Sequence, residues 1–270
     1  MLRFGLNVSI LLREYPFLKR FDQAARLGFD TVEFWWPHGE DLGVLTRRIR
    51  DAGLQVALFN FDAGDLAAGE RGLINDPARL AQFRAHVPAA LELAAQLGCP
   101  RLNALAGKWR TDIPQAHQLA QLREQYAWLA EQAQSVGVAV QLEPLNTWDN
   151  GPCVFTTSRE TLAFIDAVGA LNLQLQYDVY HMQRMEGNIS AAVHALAHRI
   201  GHIQIADAPG RNQPGTGELR FGHILTAIAA SGYSGVIGAE YNPLGSSVAS
   251  LEWLPTAQRR GPVAPETLGL

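Results

Sequence analysis

The 270-residue chain predicts one α/β domain, a (β/α)8 barrel. Three observations carry that expectation: short apolar runs alternate with longer amphipathic stretches, the runs number eight, and glycines close most helical stretches shortly before the next run. A doubly wound sheet is the other architecture that joins parallel strands by crossover helices, but eight strand–helix pairs in one chain favour closure.

Taken in order, the run RFGLNV (3–8) leads to a helical stretch over 16–28 that Gly28 closes. DTVEFW (30–35) precedes 41–52, closed by Gly53. LQVALFN (54–60) passes through the long segment 61–76 into 77–97, where Gly98 supplies a left-handed cap. RLNAL (101–105) precedes 115–136 and Gly137, and VAVQLE (138–143) precedes 158–169, where Thr157 and Glu160 have the spacing of a capping box. LQLQYD (173–178) is followed by 188–199, and GHIQIA (201–206) by the long segment 207–220 and a helix over 221–231. The last pair is GVIGAEY (235–241) with 246–254. Several runs are nearly continuous aliphatic sequence, as strands buried on both faces require. Residues 1–255 form the expected barrel; 256–270, with Pro262 and Pro265 and little periodicity, read as an extended or disordered tail.

Composition narrows the function classes. With 47% hydrophobic and 18% charged residues, the chain can bury a large core and is not disordered. No window approaches a membrane span, and Asn7 and Ser9 interrupt the apolar N-terminus without a small-residue cleavage site, so no signal peptide is expected. The net charge of −4 lacks the basic footprint of a nucleic-acid binder. Cys99 and Cys153 have neither zinc-ribbon spacing nor the density of a disulfide framework, which suits a reducing cytoplasm.

In a barrel the active site forms at the C-terminal ends of the strands. Here those ends carry Asn7, Glu33, Asn60, Asn103, Glu143, Asp178, Gln204 and Glu240. The last four are 35, 26 and 36 residues apart, about one βα unit per step, so neighbouring strands would aim them into one mouth. Three carboxylates that close raise one another's pKa unless a cation offsets them, and an oxygen donor set favours Mg2+ or Mn2+ over zinc.

The strings AGDLAAGERG (63–72), LEPLN (142–146), YDVYHMQRMEG (177–187), GHIQIAD (201–207), PGTGE (214–218) and AEY (239–241) resemble the hydroxypyruvate isomerase family, within the xylose isomerase-like TIM barrels. Leu66 stands where relatives often carry Trp. The resemblance implies a divalent metal held by Glu143, Asp178, Gln204 and Glu240, with Glu143 and Glu240 also acting as acid and base. It implies interconversion of hydroxypyruvate and 2-hydroxy-3-oxopropanoate through an enediolate. His181 would then contact a substrate oxygen. Lys108, after the fourth strand, is the expected cation for the substrate carboxylate, with Arg71 and Arg211 on the long loops behind it. The expected partner is a small keto acid, with no nucleic acid and no membrane; a homo-oligomer is left open. Alternatives are a 2-oxo-tetronate isomerase, a sugar 3-epimerase (disfavoured by Gln204), an apurinic endonuclease and a non-catalytic binding barrel.

Overall fold

The computed structural model describes all residues, 1–270, and closes into an eight-stranded parallel barrel. The strands are β1 (Arg3–Asn7), β2 (Thr31–Phe34), β3 (Gln55–Asn60), β4 (Arg101–Asn103), β5 (Ala139–Leu142), β6 (Leu173–Asp178), β7 (Ile200–Ile205) and β8 (Val236–Ala239). Each pairs with its sequence neighbours, and β8 closes on β1 through Arg3–Leu6 and Val236–Ala239. The crossovers are α1 (Phe17–Arg26), α2 (Leu42–Asp51), α3 (Leu80–Leu97), α4 (Gln115–Gln134), α6 (Ser158–Val168), α8 (Ile189–Leu196) and α9 (Phe221–Ala230). Two short helices follow strand ends at the mouth, α5 (Thr147–Asn150) and α7 (Val179–Met185).

The outer core lies between strands and helices. In α3, Phe83, Val87, Ala90, Leu91 and Ala94 recur at helical spacing and are buried, and Gly98 ends the helix at φ 63°. Phe34 of β2 stacks on Phe59 of β3 at 5.2 Å, while Phe21 of α1 meets Phe34 edge-on at 5.7 Å. Burying each such ring contributes about 1.5–3 kcal/mol.

Inside, long polar side chains occupy much of the barrel: Asn103, Gln141, Gln176, His202 and Glu33 are all buried. Glycines on neighbouring strands make room for them. A Cβ at Gly201 would fall 2.1 Å from Gln141 Oε1, and one at Gly238 would fall 2.2 Å from Glu33 Oε2. Small residues opposite large ones are how a narrow barrel fills its lumen.

Three details differ from the sequence reading. The helix expected over 246–254 reduces to a single 3-10 turn, Ala249–Leu251, because Tyr241 and Trp253 pack there through side-chain hydrogen bonds rather than along a helical ladder. Only half of the capping box forms: Thr157 accepts from the Glu160 amide at 3.2 Å, but the Glu160 carboxylate turns to Thr156. The Pro-rich segment is neither extended nor loose. Val263 bridges Leu2 in an antiparallel pair, Val263 and Leu268 join the core, and the buried Arg259 donates to the carbonyls of Leu27, Leu251 and Leu254. Its order comes from contacts with distant chain, which periodicity does not register. No helix is long and apolar enough to cross a membrane, and both cysteines are buried and free.

Candidate active site

The C-terminal mouth of the barrel holds a cavity of about 340 Å³ lined by Glu143, His181, Arg211 and Glu240 among others. Parallel strands deliver these groups by register. Asp178, the last residue of β6, pairs with Gln204 of β7. Glu143 and Glu240 each follow directly on their strand, β5 and β8. His181 sits on α7 three residues after Asp178, whose Oδ1 caps that helix by accepting from the Tyr180 amide at 2.8 Å.

Donors orient both glutamates. Glu143 Oε2 accepts from Asn103 at 2.7 Å and from Gln176 at 3.1 Å. Glu240 Oε1 accepts from the Trp35 indole at 2.7 Å and Asn7 at 2.9 Å, and its Oε2 accepts from Arg211 at 2.6 Å. Gln204 donates to Glu33 at 2.6 Å, which directs its amide nitrogen downward, while its Oε1 accepts from Gln176 at 2.7 Å. Below the mouth, Glu33 also receives Asn7 and the His202 Nε2 at 2.5 Å.

Burial, followed by repulsion from Glu240 and Asp178, pushes Glu143 well above the usual carboxylate range. Burial likewise lifts Asp178 to about 6 and Glu240 to about 7, with Arg211 partly offsetting both. His181 is driven the other way, well below its usual value, by burial and by Arg211, so it is neutral. Its Nδ1 faces the Asn146 amide at 3.3 Å and the Asn146 side-chain nitrogen at 2.7 Å, both donors. Nδ1 is therefore the acceptor and Nε2 carries the proton. That N–H lies 3.5 Å from Asp178 Oδ2 and 3.9 Å from Glu143 Oε1.

These residues suit a divalent cation. Asp178 Oδ2 is buried without a hydrogen-bond partner, and Glu143, Asp178 and His181 offer ligand atoms that all lie within 4.8 Å of one another. A buried, unpaired carboxylate oxygen beside two more raised carboxyls is the electrostatic setting that a metal ion relieves. Since His181 presents a protonated nitrogen to that point, oxygen atoms are the better donors.

The other sequence candidates are placed differently. Lys108 pairs with Cys153 in an isolated antiparallel bridge and lines an adjoining recess of about 240 Å³ with Gly69, Asn75, Arg110 and Arg71; of these only Arg71 also lines the mouth cavity. Arg211, ranked behind it in the sequence, is the cation at the centre, bonded to Glu240 and 3.7 Å from Asp178. Its φ of 54° inside the 207–220 loop turns it inward. Asp207 braces that loop by accepting from the amides of Gly215, Thr216, Gly217 and Leu219. Glu33, noted only as one of eight polar strand ends, ties Asn7, His202 and Gln204 together.

Comparison with known proteins adds an independent line. A family model described as xylose isomerase-like TIM barrel matches residues 21–257. A hydroxypyruvate isomerase from Escherichia coli (strain K12) is 41% identical over 254 residues, covering 94% of this chain and 98% of that protein. A 2-oxo-tetronate isomerase from Cupriavidus necator is 40% identical over 254 residues, with the same coverage of 94% and 98%. A crystal structure described as an AP endonuclease, family 2, from Brucella melitensis superposes with a TM-score of 0.90 at 34% identity, covering 94% of this chain and 98% of that one.

Proposed function

The chain belongs to the xylose isomerase-like TIM barrel family, and from that membership we propose that it is an isomerase interconverting hydroxypyruvate and 2-hydroxy-3-oxopropanoate. The observation that supports this most is a cavity holding two buried carboxyls, Glu143 and Glu240, both raised above the usual carboxylate range, directly after strands β5 and β8. An aldose–ketose shift removes a proton beside a carbonyl and returns one to the neighbouring carbon, and a carboxyl raised above its usual range is a better base and still able to give the proton back.

In this reading Glu143 and Glu240 exchange the carbon-bound proton. Trp35 and Asn7 hold Glu240 in place, and Asn103 and Gln176 hold Glu143, so neither has to reorganise as the proton moves. The His181 Nε2–H donates to a substrate oxygen on which charge develops. Glu143, Asp178, Gln204 and Glu240 would hold a Mg2+ or Mn2+ ion, which would supply Lewis-acid polarisation of the substrate oxygens. The endonuclease description of the Brucella melitensis structure suits this chain poorly, because phosphodiester recognition relies on basic surface and the net charge here is −4.

A 2-oxo-tetronate substrate is the second reading. It is supported by the 40% identical relative and by a neighbouring recess of about 570 Å³ that shares Trp35, Asn60, Leu66 and Ala67 with the mouth cavity, giving room for a fourth carbon. Turnover of hydroxypyruvate, 2-oxo-tetronate and a panel of ketohexoses by the Mn2+-loaded protein tests both. The expected result is a clear preference for one 2-oxo acid, with solvent deuterium entering the product carbon. Equal sluggishness on every compound would sink the assignment, and full retention of substrate hydrogen would replace Glu-mediated proton transfer by a hydride shift.

A further inference from the structure

Four arginines line the mouth cavity: Arg13, Arg20, Arg71 and Arg211. Arg211 is matched by Glu240 and Asp178. Arg20 donates to the carbonyls of Tyr15, Val8 and Ser9, and Glu14 and Glu40 offset its charge; Arg13 beside it is exposed, so water solvates its charge.

Arg71 is different. Its Nε donates to Asn150 Oδ1 at 2.5 Å, and its Nη1 to the carbonyls of Leu66 at 2.9 Å and Glu70 at 2.6 Å. All three acceptors are neutral, none of its nitrogens forms an ion pair, and Nη2 has no protein partner. No carboxylate lies within ion-pair distance of this half-buried guanidinium; Asp149 offsets its charge only from farther away, Arg211 repels it, and burial strips hydration from it. With Nε and Nη1 fixed by the protein, Nη2 keeps its hydrogens free to make a charge-assisted bond to a carboxylate oxygen.

The surroundings hold Arg71 in register with the reacting groups. Asn150 donates in turn to the Asn146 carbonyl at 3.0 Å, and the Asn146 side chain meets His181 Nδ1 at 2.7 Å. The loop that carries Arg71 is clamped, because Gly72 packs so closely that a Cβ there would sit 2.1 Å from the Leu105 carbonyl, and Glu70 pairs with Arg79 at 2.5 Å. Lys108 shares the adjoining recess with Arg71 but does not line the mouth cavity, its Nζ standing 3.8 Å from where a Gly69 Cβ would be and 3.7 Å from where a Gly151 Cβ would be.

We propose that Arg71 anchors the substrate carboxylate and so selects 2-oxo acids over neutral ketoses of the same length. This rests on the isomerase reading above. Steady-state kinetics on hydroxypyruvate, with hydroxypyruvamide as a neutral competitive inhibitor, compares wild type with Arg71→Met, Arg71→Lys and Lys108→Met, with Mn2+ affinity measured in parallel by calorimetry. For Arg71→Met, the KM for the acid is expected to rise roughly 10- to 100-fold, as for loss of a charge-assisted hydrogen bond, with a far smaller change in kcat. The inhibition constant of the amide and the Mn2+ affinity stay at wild-type values. Should Arg71→Met not fold, Arg71→Lys carries the same comparison: acid KM raised, amide constant unmoved. A KM independent of Arg71, an equal loss of acid and amide binding, or a KM rise in Lys108→Met alone would overturn the proposal. A wild type that turns over no 2-oxo acid instead removes the isomerase reading on which it stands.

Discussion

Glu33 lies one layer below the mouth and touches no cavity wall, yet its carboxylate decides which way Gln204 faces. An amide that donates to Glu33 must turn its oxygen elsewhere, and here it accepts from Gln176, which also donates to Glu143. Replacing Glu33 by Gln lets that amide flip and leaves His202 with a weaker partner. The expected outcome is roughly 10- to 100-fold weaker Mn2+ binding by calorimetry, the range seen when a ligand's supporting hydrogen bond is lost. The raised carboxyls make a second prediction. Asp178 near 6 and Glu240 near 7 bind protons more tightly in the folded protein than in the unfolded chain. Stability of the metal-free protein is thus favoured at low pH and declines as pH rises from about 4 through these values. Thermal melts at pH 5, 6, 7 and 8 in chelator should show Tm falling across that range, with the gain from added Mn2+ largest at pH 8. A metal-free Tm that rises from pH 5 to 8 would contradict the folded-state values.

At the scale of elements, the crossover helices α1, α2, α3, α4, α6, α8 and α9 follow from local signals, since amphipathic period and glycine caps act within a few residues. The helices α5 and α7 escape such signals because four and seven residues are too few to show a period. Their caps were visible all the same: Asn146 accepts from the Asp149 amide, as a side-chain cap three residues upstream should. The 61–76 loop belongs to the same class, being legible as long and rich in glycine but silent about which residues turn inward. Gly72 tests the clamp that positions it. Gly72→Ala must place a Cβ against the Leu105 carbonyl at a φ of 117°, so the loop has to move. The expected result is a loss of kcat/KM of about tenfold or more, as for an angstrom-scale misplacement of a binding group, carried mainly by KM. Wild-type kinetics in this variant would show that the loop does not position the substrate.

For the whole molecule, residues 256–270 brace the barrel from outside: Arg259 and Val263 hold its end opposite the mouth, and the chain then follows α9 until Leu270 meets Gly222 and Gly215. Arg259 reaches three carbonyls and lies over the Phe29 ring at 5.6 Å, joining the tail to the turn between α1 and β2. Arg259→Ala leaves buried carbonyls without donors, and urea denaturation should report about 1–3 kcal/mol of lost stability, with kcat little changed because the site lies at the other end. By itself the sequence determined the eight-fold βα alternation and the ring of polar strand ends, among them Glu143, Asp178, Gln204 and Glu240. Both are written in residues whose partners are local or repeat at the barrel's own period. It pointed to Lys108 as the cation for the substrate, whereas only the tertiary structure decided that Arg211 and Arg71 face the mouth and Lys108 does not. The same holds for the tautomer of His181, set by Asn146 from the segment after β5. Those outcomes depend on how loops separated by up to 140 residues, as Arg71 and Arg211 are, pack over one cavity, and no window along the chain contains that contact.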